Sequence, residues 1–266
     1  MIYVLYHSNC YDGFGAAYCA WKKFGDEARY IPVSYGKPPP EMPSATEIYI
    51  LDFSYDAEEI LKLADKARVI VLDHHKTAEE KLKPLLYSRD NPKIIFDMSK
   101  SGALITWDYF FGDGFKEAPA LIRHISDRDL WTFQMAGSKE IHSALVSYPF
   151  DFYVWDKFDV EKLKEEGVTC ERFEKSVVDK ICKSAFMRQI DTYTVPVVNT
   201  TQSWSEVGHE LLQRYPDAPF VASFTIFEDQ IMWSLRSRIG FDVSTIAKKF
   251  GGGGHAQAAG FKSVRP

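Results

Sequence analysis

Short apolar runs alternate with an amphipathic segment in the N-terminal part of the chain. Between the runs, residues 57–67 place Ile60, Leu61 and Ala64 on one helical face. Three runs are rich in Val, Ile, Leu and Tyr and too short for amphipathic helices, which predicts buried strands at residues 2–6, 47–51 and 68–72. Alternating strands and helices predict a parallel sheet with helices packed on its faces.

The pattern changes twice further along the chain. Residues 100–186 are mostly helical in periodicity. After residues 193–198 the sequence predicts a helix, two strands and a helix, at 206–214, 220–227, 231–235 and 243–250. We therefore predict an α/β protein with two domains, a parallel-sheet domain over residues 1–190 and a smaller α/β domain over residues 198–266, with a substrate cleft between them.

Composition and charge narrow the possible functions. The 266 residues are 45% hydrophobic and 15% aromatic, enough to fill substantial cores. With 32 basic and 37 acidic residues the net charge is −5, which disfavours binding to long duplex DNA but leaves short anionic substrates open. The four cysteines match no zinc-finger spacing and are expected to be reduced thiols. The N-terminus has no basic region before its apolar run, so we expect neither a signal peptide nor a membrane span, and a cytoplasmic protein.

Acidic and histidine side chains follow each predicted strand of the parallel sheet. The carboxyl edge of such a sheet is where α/β proteins bind ligands. A further pair, Asp127 and Asp129, lies at a predicted helix end. The groups at the strand ends are His7 with Asp12, then Asp52, then Asp73 with His74 and His75.

Carboxylates and imidazoles that converge on one edge predict a metal site. A set of oxygen and nitrogen ligands suits Mn²⁺, Mg²⁺, Fe²⁺ or Zn²⁺. A carboxylate shared by two metals would make the site binuclear, and two metals can activate water and neutralise charge on a phosphoryl group. The pattern therefore predicts hydrolysis of a phosphoester or phosphoanhydride.

Each of these residues also has a purely structural interpretation. A lone histidine such as His7 is more often structural than a ligand, and Asp52 could be a helix N-cap. Asp127 and Asp129 could be solvated acids beside Arg128. Burying an aspartate and two histidines together at one strand end is costly without a ligand, so the joint occurrence favours a functional site.

Two motifs resemble those of one known family. The sequence Val-Leu-Asp73-His74-His75 resembles the signature of the DHH phosphoesterases, and the glycine-rich run from Gly251 to Phe261 resembles that of the associated DHHA1 domain. Both occur in the expected order. The resemblance implies a DHH domain followed by a DHHA1 domain, and a metal-dependent phosphoesterase.

The resemblance also implies roles for individual residues. It implies two Mn²⁺ ions, with Mg²⁺ or another divalent cation possible, and Asp52 as the bridge between them. His75 would lie nearer the phosphate and Asp73 would orient the histidines, so that these two form the catalytic pair. The implied metal ligands are His7, Asp12, Asp52, His74 and Asp127.

The first motif departs from the family pattern. The family commonly has His-x-Asp-x-Asp-Gly, whereas this chain reads His7-Ser-Asn9-Cys10-Tyr11-Asp12-Gly13. Either Asn9 supplies an amide oxygen in place of the missing carboxylate, or Asp12 acts alone. A third interpretation is that only the metal held by Asp52, His74 and Asp127 binds tightly, because ligand charge is reduced at the other position.

The resemblance implies that the C-terminal domain binds the non-scissile part of the substrate. Glycine backbone N–H groups can approach an anion closely, although a flexible tail is the structural alternative. Arg236 offers a planar fork for phosphate, and His255 could donate to phosphate or stack on a base. The predicted substrate-binding residues are Arg236, Ser237, Gly252, Gly253, Gly254 and His255.

The leading functional hypothesis is a Mn²⁺-dependent phosphodiesterase that converts short oligonucleotides or linear dinucleotides to 5′-mononucleotides. Alternatives with the same metal chemistry are a cyclic-dinucleotide phosphodiesterase, a 3′-phosphoadenosine 5′-phosphate phosphatase and an exopolyphosphatase. A non-catalytic nucleotide-binding protein with a decayed metal site is a further alternative. The sequence leaves a homodimer open, and the aromatic residues Trp107, Tyr109, Phe110 and Phe111 are either core or a partner surface.

Overall fold

The computed structural model describes residues 1–86, 90–112 and 114–264. The chain divides into two compact units, Met1–Glu171 and Arg172–Pro266. The first unit contains a five-stranded sheet and the second a six-stranded sheet. The predicted α/β class, with a parallel sheet first and a smaller α/β part second, is confirmed.

The first sheet is parallel throughout, with strand order β2-β1-β3-β4-β5. Its three central strands coincide with the predicted ones. The two edge strands were missed, since β2 contains a proline and is partly exposed, and β5 has only four residues. The strands are β1 (Ile2–His7), β2 (Ala28–Val33), β3 (Glu47–Leu51), β4 (Arg68–Asp73) and β5 (Lys93–Phe96).

Helices cover both faces of this sheet. Alternate strand residues point to opposite faces, so Val4 packs in one core cluster and Leu5 in the other. The first cluster includes residues of α1, α4, α6, α7, α8 and α9, and the second includes Ile60 of α2 and Leu82 of α3. The helices of this unit are α1 (Tyr11–Phe24), α2 (Ala57–Ala64), α3 (Lys76–Leu82), α4 (Gly102–Phe111), α5 (Gly114–Glu117), α6 (Ala120–Asp129), α7 (Ser138–Leu145), α8 (Phe152–Trp155) and the first part of α9 (Val160–Cys182).

The long helix α9 runs across the division between the units. Its last turns belong to the second unit, because Val178 and Cys182 pack with Val207 and Leu211 there. The contacts divide the chain after Glu171, and the domain limits at residues 190 and 198 stay a prediction. Within the described parts of the chain, α9 included, no helix has both the length and the apolar character needed to cross a bilayer.

The second unit is built on a mixed sheet of order β10-β11-β9-β8-β7-β6. Only the β7 and β8 pair is parallel among the neighbours in this sheet. Helices α10 (Trp204–Arg214) and α11 (Val243–Lys249) belong to separate core clusters of this unit. The strands are β6 (Phe186–Ile190), β7 (Tyr193–Asn199), β8 (Phe220–Phe227), β9 (Gln230–Ser237), β10 (Gly253–Gly254) and β11 (Ala258–Val264).

The aromatic run of α4 belongs largely to the core. Trp107, Tyr109 and Phe110 are partly buried and pack against the first unit's main cluster. Phe111 is 37% exposed and stacks on Trp107. Core packing therefore accounts for most of this run.

The centre of the first sheet should carry much of that unit's stability. Ile50 in β3 is fully buried, so replacing it with alanine leaves a cavity and should cost about 2–5 kcal/mol of unfolding free energy. Urea denaturation measures the loss. Val168→Ala on the exposed face of α9 is the control and should change stability by less than about 0.5 kcal/mol. Equal losses in the two variants would contradict this placement of the core.

Candidate metal centre

The predicted groups meet at the carboxyl edge of the first sheet. Tyr6, Leu51 and Leu72 lie side by side in the register of β1, β3 and β4. The next residues along these strands, His7, Asp52 and Asp73, therefore emerge at the same level. The connection after β1 leads to β2 on one side of it, whereas β3 and β4 lie on the other side. This reversal of strand order is the place where parallel α/β sheets open a crevice.

Asp52 lies at the centre of the cluster. It is 1% exposed. Its Oδ1 lies 3.1 Å from His74 Nε2, and its Oδ2 lies 3.4 Å from His7 Nδ1. It is not a helix cap, because α2 begins at Ala57 and its N-cap residue is Asp56. One carboxylate thus faces a different histidine with each oxygen, which is the geometry that a bridging ligand requires.

The Asp52 backbone supports this position. Its φ of 53° is left-handed, a region that aspartate enters more readily than most residues. Its N–H donates to the carbonyl of Leu72, 2.9 Å away. Gly102 at the start of α4 packs directly against it, since a Cβ there would lie 2.5 Å from Asp52 Cβ. Only glycine allows α4 to approach this closely.

Two further carboxylates surround His74. Asp12 Oδ2 and Asp129 Oδ2 each lie 3.6 Å from His74 Nε2. Asp12 accepts hydrogen bonds from the N–H groups of Gly102 and Ala103, at 2.6 and 3.0 Å, so the start of α4 holds it in place. One donor atom from each of Asp12, Asp52 and His74 falls within a 4.8 Å span. These side chains form the His74 side of the cluster, with Asp129 beside it.

The structure brings Asp129, rather than the predicted Asp127, to this cluster. Asp127 accepts hydrogen bonds from the hydroxyl groups of Thr132 and Ser138, at 2.6 and 2.5 Å. It also accepts from the N–H groups of Gln134 and Met135, at 2.7 and 3.0 Å. Both of its oxygens are therefore engaged in closing the loop after α6. The sequence placed both acids at a helix end and could not show which one turned inward.

His7, Cys10 and Asp52 form the other side of the cluster. One donor atom from each lies within 4.8 Å of the others. The buried atoms His7 Nδ1 and Asp52 Oδ2 have no hydrogen-bond partner among the described residues. Buried polar atoms are rarely left unpaired, so this pair fits a cation.

Cys10, which was not among the predicted ligands, lies here in place of Asn9. Asn9 is exposed and occupies a turn with φ of 53°. A signal was available, because counting the pattern Asp-x-Asp-Gly back from Asp12-Gly13 places Cys10 at the first aspartate position. Counting forward from His7 instead led to Asn9.

Asp73 positions the histidines that follow it. It is fully buried. Its Oδ1 accepts from the N–H groups of His74 and His75, at 2.7 and 3.2 Å, and lies 2.7 Å from His75 Nδ1. Its Oδ2 accepts from the Ser54 hydroxyl at 2.6 Å. The imidazole of His75 is thereby fixed at the edge of the cluster.

Burial and charge crowding shift several pKa values at this site. Burial opposes ionisation of Asp52, but the neighbouring imidazoles of His7, His74 and His75 outweigh it and hold its pKa well below the usual value. Burial and the charges of Asp52 and Asp129 raise the pKa of Asp12 well above its usual value. Burial opposes the charge of His74, yet its carboxylate neighbours raise its pKa well above normal. The carboxylates of the cluster carry more negative charge than its histidines can neutralise. A bound divalent cation would neutralise the excess.

Comparison with known proteins finds one matching domain profile and two relatives in sequence. The profile of the DHHA1 domain matches residues 192–265. The uncharacterized protein R106 of Acanthamoeba polyphaga mimivirus is 33% identical over 97% of this chain and 66% of its own length. Oligoribonuclease NrnB of Bacillus subtilis is 22% identical over 97% of this chain and 72% of its own length. The chain thus spans about two thirds of the relatives that it matches.

Residues 192–265 of this chain are a DHHA1 domain. A solved structure shares the fold: the pGpG-specific phosphodiesterase PggH of Vibrio cholerae has a TM-score of 0.53 and 16% identity, and the similarity covers 99% of this chain and 94% of PggH. At that identity the likeness concerns the fold alone.

Two of the four glycines in the DHHA1 signature cap helix α11. Gly251 has φ of 77° and donates to the carbonyl of Lys248, and Gly252 donates to that of Ala247, at 3.0 and 2.9 Å. This pair of bonds is a Schellman motif. The N–H of Gly252 is therefore committed to the helix and is not offered to a substrate. The flexible-tail interpretation fails, because the next two glycines form strand β10.

The remaining predicted substrate residues of the DHHA1 domain lie around β9 and β10. Arg236 donates to the hydroxyl groups of Ser234 and Ser205, at 2.8 and 3.0 Å. Ser237 is buried and its hydroxyl donates to the carbonyl of Phe241, at 2.6 Å, so it holds a turn. His255 is partly buried and its N–H donates to the carbonyl of Ala258 at 2.8 Å.

Replacing each of the two acids of α6 in turn should show which one supports the fold and which one binds metal. Asp127→Asn weakens four hydrogen bonds and should lower stability by about 1–3 kcal/mol, with little change in metal affinity. Asp129→Asn should leave the metal-free protein at least as stable, because it removes an acid whose pKa burial raises, and should weaken metal binding roughly tenfold or more.

Thermal denaturation in chelator and calorimetric titration with Mn²⁺ measure the two effects. Loss of metal affinity in Asp127→Asn with none in Asp129→Asn would show that our assignment of the two acids is reversed.

Proposed function

We propose that this protein is a Mn²⁺-dependent phosphodiesterase that hydrolyses short oligonucleotides or linear dinucleotides to 5′-mononucleotides. The observation that carries the proposal is Asp52, whose two oxygens face His74 and His7 on opposite sides. A carboxylate so placed suits a pair of divalent cations. The three carboxylates around His74 are the hard ligands that Mn²⁺ prefers.

Bound divalent cations would supply Lewis acidity and an activated water at this edge of the sheet. The chain's own residues hold the centre in shape. Asp12 is held by the start of α4 and His75 by Asp73, so neither has to reorganise during the reaction. His75 is the group we propose to donate to a phosphoryl oxygen as charge develops on it.

The DHHA1 domain is proposed to bind the substrate's non-scissile phosphate or base. Arg236 supports this role because its guanidinium is held by two serine hydroxyls, which leaves the fork ordered before binding. A Cβ at Gly208 would lie 2.5 Å from Arg236 Cγ, so the side chain is also packed along its stem. We propose His255 as a second contact.

The names of two similar proteins and the net charge of this chain both favour short linear substrates. NrnB is named an oligoribonuclease and PggH a pGpG-specific phosphodiesterase. The net charge of −5 gives no general attraction for long polyanions. We propose a cytoplasmic location, which the four free cysteines support.

Hydrolysis in defined conditions tests the proposal. Purified protein with Mn²⁺ should release mononucleotides from a 5′-phosphorylated dinucleotide, and chelator should abolish release. Asp52→Asn and His74→Ala should each lower kcat by at least about a hundredfold, because they remove ligands of the centre. The control is the exposed Asp65→Asn, which should keep full activity.

Parallel reactions with a cyclic dinucleotide, 3′-phosphoadenosine 5′-phosphate, polyphosphate and a 24-mer identify the substrate class. Faster turnover of any of these than of the dinucleotide would replace the substrate proposed here. No turnover of any substrate, together with no Mn²⁺ binding, would favour a nucleotide-binding protein with a decayed site.

Arg236 should act through binding rather than chemistry. Arg236→Ala removes charge-assisted hydrogen bonds to the substrate and should raise KM for the dinucleotide about 10- to 100-fold with little change in kcat. Lys262→Ala, on an exposed position of β11, is the charge-matched control. Steady-state kinetics decide the matter, and a fall in kcat alone would argue against a binding role.

A further inference from the structure

The cluster has two chemically different sides. On the His74 side the donors are an imidazole and the carboxylates of Asp12, Asp52 and Asp129. On the other side they are an imidazole, a carboxylate and a thiol, from His7, Asp52 and Cys10. A sulfur ligand on one side only has consequences for which cations the two sides bind.

The position of Cys10 follows from the turn between β1 and α1. The strand ends at His7, and the left-handed Asn9 reverses the chain. Cys10 then occupies the N-cap of α1 in extended conformation, and its carbonyl accepts from Phe14 N–H at 2.9 Å. Sulfur is a weak hydrogen-bond acceptor, so cysteine is a poor choice for capping. The residue type is better explained by what its thiol faces.

Independent evidence for a ligand comes from the two atoms beside the thiol. Asp52 is 1% exposed, yet its Oδ2 has no hydrogen-bond partner among the described residues, and the same holds for His7 Nδ1. The two atoms are 3.4 Å apart. A buried carboxylate oxygen that accepts no hydrogen bond is costly, and a cation bound by both atoms would satisfy them.

We propose that Cys10 is a metal ligand and that the His7 side is a site for a thiophilic divalent cation, Zn²⁺, while the His74 side takes a harder cation. Thiolate and imidazole select zinc, whereas carboxylates suit manganese and magnesium. The inference rests on the metal centre of the proposed function and deepens it, because the two cation positions would differ in metal preference.

Cobalt titration tests the thiolate ligand without any assay of activity. Co²⁺ added to the metal-free protein should produce a near-ultraviolet sulfur-to-cobalt charge-transfer band. The band should persist in Cys170→Ser, whose cysteine lies in α9 away from the cluster, and should vanish in Cys10→Ser and Cys10→Asp.

Competition with a chromophoric chelator measures the affinities. Zn²⁺ affinity should fall at least about tenfold in Cys10→Ser, since even the loss of groups that only orient a metal ligand costs that much. Cys10→Asp should shift the preference from Zn²⁺ towards Mn²⁺. Its carboxylate keeps the charge of the site, so this variant also serves if Cys10→Ser folds poorly, as judged by circular dichroism.

The outcomes separate this inference from the proposed function. A band in Cys10→Asp, or none in the wild-type protein, overturns the inference even if the dinucleotide is hydrolysed. A band that depends on Cys10 supports it even if no nucleotide substrate is turned over.

Discussion

The buried carboxylate of Asp52 is the constraint on which the candidate site depends. A charged group that is 1% exposed requires compensation, and here two histidines on opposite sides supply it. The left-handed backbone at Asp52 and the missing side chain at Gly102 let the helix α4 come close enough to hold Asp12 beside it. Moving Asp52 would therefore disturb both sides of the cluster at once.

The site is organised for cation binding at some expense to the metal-free protein. Asp12, Asp52 and Asp129 crowd around His74, and burial raises the pKa of Asp12 and of Asp129. Such crowding is unfavourable without a cation and favourable with one. In contrast, Asp127 lies two residues from Asp129 and is fully used by the loop that it closes. Of two acids at one helix end, one thus lies in the cluster and the other closes the loop.

The C-terminal glycines show a similar division of labour. Gly251 and Gly252 end helix α11, while Gly253 and Gly254 pair with Gly260 and Ala259 in the sheet. The glycine run resembles one anion-binding loop, but most of it forms a helix C-cap and a short strand. This leaves Arg236 as the ordered cationic group on which a phosphate-binding role for the domain depends.

Local patterns in the sequence determined the fold class, the three central strands and the strand-end positions of His7, Asp52 and Asp73. They could do so because buried parallel strands have a distinct composition and because their carboxyl ends share one edge. The edge strands β2 and β5 were not predicted, since partly exposed strands lack the continuous apolar composition of buried ones. Only the tertiary structure decided that Asp129 rather than Asp127 lies in the cluster. It also places Cys10 rather than Asn9 beside His7 and Asp52, which the spacing back from Asp12 already indicated. The sequence does not show in which direction each of two nearby side chains points. After a turn or a helix end, the direction of the chain allows only one of them to face the cluster.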